Sequence, residues 1–238
     1  GSSGGSAGYT KLTKFAHASI TESTGGSIVN PASFCGVIGL CPTYGLVSRY
    51  GLIDYANSLD KIGIMAKNIE DVEIVFDAIK GHDLKDSTSL NMDLKDKSIK
   101  KIAIIKEAMD VDIDIKNIIL NAVKNLGIDY EEVSLPLAAE YSIPAYYLIA
   151  ASEASTNLAK FSGMRYGYEE ELTGDFNEYF SKVRSNAFGR EAKRRIILGT
   201  FARMAGFRDQ YYIKAMKART LIINEYKKAF EKYDLLVS

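Results

Sequence analysis

The feature that most constrains the fold is a strand, a helix and a second strand that follow one another between residues 102 and 135. Ile102–Ile105 is a short apolar run of the kind found in buried strands. Apolar residues at helical spacing from Ile115 to Leu126 predict an amphipathic helix, and Gly127 provides its end. Tyr130–Leu135 has the composition of a second strand. Two strands joined through a helix form the parallel crossover of an α/β sheet, so the sequence predicts the α/β class.

The pattern of the chain changes at Asn68. Residues 1–67 are rich in Gly, Ser and Thr, which favours short strands and turns, with one short helix after Pro31. Asn68 with Asp71 three residues later resembles a capping box and predicts a helix that Gly81 ends. Further helices are predicted from Pro144 to about Lys160 and at about 175–183, 189–205 and 207–232, and a strand-like run at Tyr233–Ser238.

Composition excludes several classes of protein. The 238 residues include 30 basic and 30 acidic ones, and this balance argues against a surface that binds nucleic acid or anionic membrane as a whole. No apolar run approaches the roughly 18 residues of a membrane span, so we expect no membrane contact. Cys35 and Cys41 are too few for a disulfide scaffold, which indicates a cytoplasmic protein. They are interpreted as small buried apolar residues, and with only His17 and His82 beside them no metal site is predicted.

The segment Thr21–Ala32 contains the densest chemical signal. Adjacent glycines in Thr24-Gly25-Gly26-Ser27 allow the backbone to approach a ligand and to turn several N–H groups toward one point. Such a loop can stabilise the oxyanion of an acyl-transfer reaction in which the Ser27 hydroxyl is the nucleophile. The same residues are also common in turns, so the spacing alone is equally compatible with an ordinary turn that has no catalytic role.

A second glycine–serine cluster opens the chain. Gly1–Gly5 matches the Gly-x-Ser-x-Gly motif of a nucleophile elbow, and the same sequence is equally typical of an expression linker. The chain begins without Met and closes on the apolar run before Ser238. We therefore expect an internal fragment of a longer protein.

Taken together, the two clusters resemble the amidase signature family. The matching residues are Gly1-Ser2-Ser3-Gly4-Gly5-Ser6-Ala7 and Thr24-Gly25-Gly26-Ser27-Ile28-x-x-Pro31-Ala32-x-x-x-Gly36-x-x-Gly39-Leu40-x-Pro42-Thr43-x-Gly45. Later blocks resemble one branch of that family, the A subunits of GatCAB-type glutamyl-tRNA(Gln)/aspartyl-tRNA(Asn) amidotransferases. These blocks are Val47–Leu52, Ala56–Gly63, Gly81–Ser89, Pro144–Tyr147, Glu153–Leu158, Arg165–Tyr168 and Lys193–Thr200. The resemblance implies the amidase signature fold, a central mixed β-sheet covered by helices on both faces, with residues 1–238 as one domain truncated at both ends.

The resemblance further implies a Ser–cis-Ser–Lys triad. Ser27 matches the nucleophile and Ser2 the bridging serine, with Ser3 as an alternative because the interval to Ser27 is one residue longer than expected. A desolvated lysine can act as the base because burial lowers its pKa. That lysine lies upstream in the family, so we expect it in a preceding segment and expect this chain alone to be inactive. The implied oxyanion hole consists of the N–H groups of Thr24, Gly25, Gly26 and Ser27.

Tyr146 and Arg195 match positions that hold the substrate glutamine in this branch. The planar fork of an arginine suits a carboxylate. The assignment can slip by one, to Tyr147 or Arg194, and an acidic substrate-binding residue is expected beyond Ser238. Without the resemblance, a packed aromatic pair and a solvated basic helix face are the simpler interpretations.

Three residues depart from the family pattern. Ser23 stands where the family has Asp, Asn30 where it has Arg, and Cys41 where it has Lys. These departures put the local geometry of the glycine–serine loop in doubt.

The function implied by the resemblance is that of a glutaminase subunit. It would hydrolyse glutamine through an acyl-Ser27 intermediate and supply ammonia to a GatB-like partner, which converts Glu-tRNA(Gln) to Gln-tRNA(Gln) with ATP and Mg²⁺. A GatC-like subunit would complete the complex, and no cofactor is expected in this chain. Two other hypotheses remain open: a stand-alone amidase that acts on small amides, and a non-catalytic fragment that acts as an interaction module.

Overall fold

The structure is a computed structural model that describes residues 1–92, 94 and 98–238. Its α-helices are α1 Gly4–Leu12, α2 Val29–Cys35, α3 Ile69–Ile79, α4 Ile113–Asn125, α5 Pro136–Asn157, α6 Phe176–Ala187, α7 Arg190–Arg203 and α8 Lys214–Phe230. Its strands are β1 Ala18–Ser23, β2 Ile38–Leu40, β3 Lys61–Ala66, β4 Ile102–Ile105, β5 Tyr130–Val133 and β6 Leu235–Val237. Short 3₁₀ turns follow β4 and α5, and a π-helical turn, Asp209–Ile213, leads into α8. Strands and helices are interspersed along the chain, which confirms the α/β class.

The chain forms two compact units, one of residues 1–94 with 150–200 and one of residues 95–149 with 201–238. The first unit contains an antiparallel sheet in the order β1-β3-β2. Ile64 and Ala66 of the central strand belong to a buried cluster with Val72 of α3. Met65 belongs to a second cluster with residues of α1 and α2. Since neighbouring residues of a strand face opposite sides, this sheet is covered by helices on both faces, as predicted.

The second unit contains a parallel sheet in the order β5-β4-β6. Ile102 of β4 pairs with Tyr130 on one side and Leu235 on the other. Ile102 and Ile104 pack against Val123 of α4. The predicted strand–helix–strand crossover is therefore confirmed. The described strands therefore form one antiparallel and one parallel three-stranded sheet. The single-domain expectation stays a prediction.

Two local predictions are corrected by the structure. The segment after Ser3 was expected to form turns and strands, yet Gly4–Leu12 is a helix. Its buried Ala7 belongs to the core cluster with Met65, so packing outweighs the poor helix propensity of glycine. Pro144 was expected to open a helix and instead lies inside α5, which begins at Pro136.

The position of Pro144 has a cost that the helix tolerates. An internal proline removes one backbone hydrogen bond and costs about 3 kcal/mol. The neighbouring Ala145 and Ile149 are buried, and burial of such residues offsets this loss. Among the described residues, no helix has both the length and the apolar character needed to cross a membrane.

Candidate functional site

The serine predicted as nucleophile lies in the loop between β1 and α2. Ser27 accepts a hydrogen bond at Oγ from the hydroxyl of Ser2, which lies just before α1. The hydroxyl of Ser3 instead donates to the carbonyl oxygen of Glu22 at 3.2 Å. Of the two serines that the sequence left open for the bridging role, the structure therefore places Ser2 in contact with Ser27.

Gly26 determines the shape of this loop. Its φ of +121° lies in a region of backbone conformation that residues with a side chain rarely adopt. A Cβ at this position would lie 3.0 Å from the side-chain nitrogen Nδ2 of Asn30. The N–H of Gly26 donates to Oγ of Ser23 at 3.1 Å, and its carbonyl accepts from the N–H of Asn30 at 3.0 Å. In this structure one of the N–H groups predicted for the oxyanion hole thus has a partner within the loop. The roles of Thr24 and Gly25 stay predictions.

The cis peptide geometry expected for the bridging serine is not found. Every peptide bond among the described residues is trans. A cis bond that does not precede proline costs about 3–4 kcal/mol and persists only where its surroundings enforce it. The cis geometry of the predicted triad stays a prediction.

Two acidic residues that the sequence analysis gave no role contact the loop through Thr24. The Oγ1 atom of Thr24 lies 2.8 Å from Oδ1 of Asp60 and 2.9 Å from Oε1 of Glu22. Burial raises the pKa of Glu22, the hydrogen bond from Thr24 opposes this, and the negative charge of Asp60 adds to it. Asp60 is fully buried directly before β3. A lone acidic residue before an apolar strand is the signal that could have identified it.

Arg195 occupies a defined position in the same unit. Its Nη1 donates to the phenol oxygen of Tyr55 at 2.8 Å, and its guanidinium lies 5.6 Å from the centre of the Tyr55 ring. Its Nε donates to Glu191 at 2.8 Å. Hydrogen bonds from Arg194 and Arg195 lower the pKa of Glu191 to about 2. The Glu191 hydrogen bond, reinforced by Tyr55, raises the pKa of Arg195 above its usual range. Arg195 is thus a permanent cation held by two neighbours.

Tyr146 lies in the second compact unit, on α5. Its ring meets that of Tyr147 edge-to-face, with the ring centres 5.2 Å apart. Tyr146 is partly buried and Tyr147 is 54% exposed. The predicted substrate-binding role of Tyr146 stays a prediction.

The three departures from the family pattern lie around the glycine–serine loop or close to it. Ser23 is 2% exposed and accepts from Gly26, and the exposed Asn30 side chain lies beside that glycine. Cys41 and Cys35 are both free and pack against the cluster that contains Ile28. Both cysteines are half-buried rather than fully buried, and burial raises the pKa of the Cys41 thiol. Within the described ranges, no group of three His, Cys, Asp or Glu side chains is placed to hold a metal ion.

Comparison with known sequences extends over the whole chain. The family model described as Amidase matches residues 1–238. The chain is 49% identical over 251 residues to the A subunit of the glutamyl-tRNA(Gln) amidotransferase of Sulfurihydrogenibium sp., covering 100% of this chain and 51% of that protein. The corresponding A subunit of Heliobacterium modesticaldum gives 49% identity over 251 residues with the same coverage, 100% and 51%. The chain therefore spans about half the length of the curated relatives it matches.

Solved structures resemble the fold. The A subunit of the glutamyl-tRNA(Gln) amidotransferase of Thermotoga maritima matches with a TM-score of 0.68 and 35% identity, over 93% of this chain and 46% of that one. A bacterial aryl acylamidase of the amidase signature family matches with a TM-score of 0.74 and 20% identity, over 99% of this chain and 48% of that one. The second likeness bears on the fold alone. Together they confirm the predicted amidase signature fold.

Proposed function

Since the chain belongs to the amidase family, we propose that it is the glutaminase part of an A subunit of a glutamyl-tRNA(Gln) amidotransferase. The hydroxyl oxygen of Ser27 attacks the side-chain carboxamide carbon of glutamine, and ammonia leaves as the acyl-Ser27 ester forms. Water then attacks the ester, which releases glutamate and restores the Ser27 hydroxyl. Identities of 49% to two curated A subunits support this choice within the family.

The observation that carries the proposal is the hydrogen bond from Ser2 to Ser27 at the end of a glycine loop. A serine hydroxyl is a weak nucleophile until a positioned group takes its proton. Ser2 can accept the Ser27 proton while it passes its own proton to a base. We place that base on a lysine in a segment that precedes residue 1 of this chain. Lys11 is directed elsewhere, since its Nζ donates to the Gly36 carbonyl at 3.3 Å.

Glutamine also has an α-carboxylate that a specific site must recognise. Arg195 suits this group because a guanidinium offers two parallel N–H donors to a carboxylate. We assign the adjacent Arg194 no such role, because Arg194 is exposed whereas Arg195 is partly buried against Tyr55.

The complete enzyme would be a cytoplasmic complex. In this proposal the chain and its missing segments assemble with GatB-like and GatC-like subunits, and ammonia moves to the GatB-like subunit. Glu-tRNA(Gln), ATP and Mg²⁺ are used there. The formal charge of zero on this chain agrees with a tRNA site located on the partner.

Ammonia release tests the proposal directly. We expect the full-length subunit, assembled with its partners, to hydrolyse glutamine and to act weakly on simple aryl amides. Residues 1–238 alone should release no ammonia, because the lysine is missing. Turnover of simple amides without turnover of glutamine would instead indicate a stand-alone amidase. Absence of both activities in the assembled complex would favour an interaction module.

The two neighbouring serines give a matched comparison in the same assay. Ser2→Ala is expected to lower kcat by about 10²–10⁴-fold, because it removes the group that relays the Ser27 proton. Ser3→Ala removes only a 3.2 Å bond to a backbone carbonyl and should leave kcat within about threefold. A larger loss in Ser3→Ala than in Ser2→Ala would reverse the assignment.

A further inference from the structure

Asp60 is a buried acid whose hydrogen bonds join two segments of the candidate site. It is 0% exposed, and its two carboxylate oxygens accept three hydrogen bonds. Oδ1 accepts from the Thr24 hydroxyl at 2.8 Å, and Oδ2 accepts from the N–H groups of Tyr55 and Ala56 at 2.7 and 2.8 Å. A buried carboxylate needs such partners because its desolvation is costly. The partners belong to two different segments, and both are segments of the candidate site.

One oxygen of Asp60 fixes the glycine–serine loop. Thr24 precedes Gly25 and Gly26, and its side chain is the group of this loop that reaches Asp60. The Thr24 hydroxyl has one proton but lies within hydrogen-bonding distance of both Asp60 and Glu22. The two carboxylates therefore share this proton, and the 2.8 Å contact with Asp60 is slightly shorter than the 2.9 Å contact with Glu22.

The other oxygen of Asp60 fixes Tyr55. The Tyr55 N–H donates to Asp60, and the Tyr55 carbonyl accepts from the Asn157 amide at 3.0 Å, so the backbone of this residue is held on both sides. The Tyr55 side chain in turn contacts Arg195 through its phenol oxygen and its ring. The orientation of Arg195 therefore depends on where Asp60 holds Tyr55.

We propose that Asp60 is a positioning residue that fixes the distance between the nucleophile loop and the Tyr55–Arg195 pair. The inference rests on the proposed function. In glutamine a short carbon chain sets the spacing between the α-carboxylate and the reacting carboxamide. An enzyme that holds the carboxylate at Arg195 must therefore hold Ser27 at a matching distance, and a misplacement of about 1 Å can cost about 100-fold in rate. A single buried carboxylate bonded to both segments provides this constraint.

Kinetics of the assembled full-length enzyme separate the two connections. Thr24→Val should lower kcat for glutamine about 10-fold with little change in KM, because only the loop loses its anchor. Tyr55→Phe should raise KM about 10-fold with little change in kcat, because Arg195 loses one partner. Asp60→Ala should both lower kcat and raise KM. The Asp60→Ala/Tyr55→Phe double variant should show a KM no higher than the worse single variant, since both changes release the same arginine.

Asp60→Asn is a conservative variant that keeps the shape of the side chain and should fold. It tests whether restored hydrogen bonds also restore activity. Its Oδ1 can accept from Tyr55 and Ala56 while its Nδ2 donates to Thr24, so most of the kcat and KM should return. The control is Asp86→Ala. Asp86 is also buried at 9% exposure, and it accepts from the N–H of Arg49 and from the backbone and side chain of Thr88. Its loss should lower the unfolding temperature without a change in KM.

The outcomes distinguish this inference from the proposed function. Wild-type kinetics in Asp60→Ala, multiplicative effects on KM in the double variant, or equal KM changes in Asp86→Ala would each overturn the positioning role. If the wild-type enzyme acts on simple amides and not on glutamine, the proposed function fails. The connection between Asp60 and the loop is then tested by amide turnover in Thr24→Val and Asp60→Ala. Equal losses of turnover in the two variants support the connection, and unequal losses overturn it.

Discussion

Replacing Ser27 by Ala in the complete enzyme is expected to reduce ammonia release from glutamine by at least about 10³-fold. The change removes the only oxygen that can form the acyl intermediate in the proposed reaction, and comparable losses of catalytic serines have effects of this size. The structural cost is small, because within the part of the chain that the structure describes the lost hydroxyl accepts a hydrogen bond from the exposed Ser2. Steady-state ammonia assays together with acid-quenched detection of an acyl-enzyme by mass spectrometry measure the effect.

Ser33→Ala is a suitable control for this variant. Ser33 is exposed in the middle of α2, six residues beyond Ser27, and its replacement deletes the same hydroxyl from the same region. It should keep the wild-type rate, and both variants should leave tRNA binding by the partner subunit unchanged. Glutamine turnover near the wild-type rate in Ser27→Ala would assign the nucleophile to another residue and would remove the basis of the proposed mechanism.

Features that depend on local sequence could be predicted well. The side chain of Asn68 accepts from the N–H of Asp71 at 2.8 Å, as the capping pattern indicated. Ile102–Ile105 is a buried strand with the predicted bounds, because four consecutive apolar residues leave few alternatives. The loop around Ser27 was identified because glycine is required where φ is positive, as at Gly26.

Features that depend on distant contacts could not be predicted from one sequence. The bond between Asp60 and Thr24 joins residues 36 positions apart, and that between Arg195 and Tyr55 joins residues 140 positions apart. No periodicity or spacing encodes such pairs. Helix α1 was missed for the same reason, since glycines oppose a helix locally and the contacts of Ala7 that favour it are with other parts of the core.

The contact between α7 and α5 within the first unit provides the largest expected effect on stability. A Cβ at Gly199 would lie 1.8 Å from the carbonyl oxygen of Ala151 and 2.9 Å from the backbone nitrogen of Ser152. These are backbone atoms, so no side-chain rotation can relieve the overlap, and the two helices must separate. We expect Gly199→Ala to destabilise the fold by about 3 kcal/mol, although alanine favours a helix by about 1 kcal/mol over glycine.

Thermal unfolding of the full-length subunit measures this effect, with Gly8→Ala as the matched control. Gly8 is also internal to a helix, α1, but nothing lies within 4 Å of a Cβ built there. The same substitution should therefore stabilise at position 8, by up to about 1 kcal/mol, and lower the unfolding temperature by about 3 °C at position 199 of a subunit about twice the length of this chain. Changes in stability of opposite sign for the same Gly→Ala substitution would demonstrate that steric overlap, rather than helix propensity, determines the stability of the variant at position 199. Stabilisation at both positions would mean that α7 and α5 do not approach as closely as the structure places them.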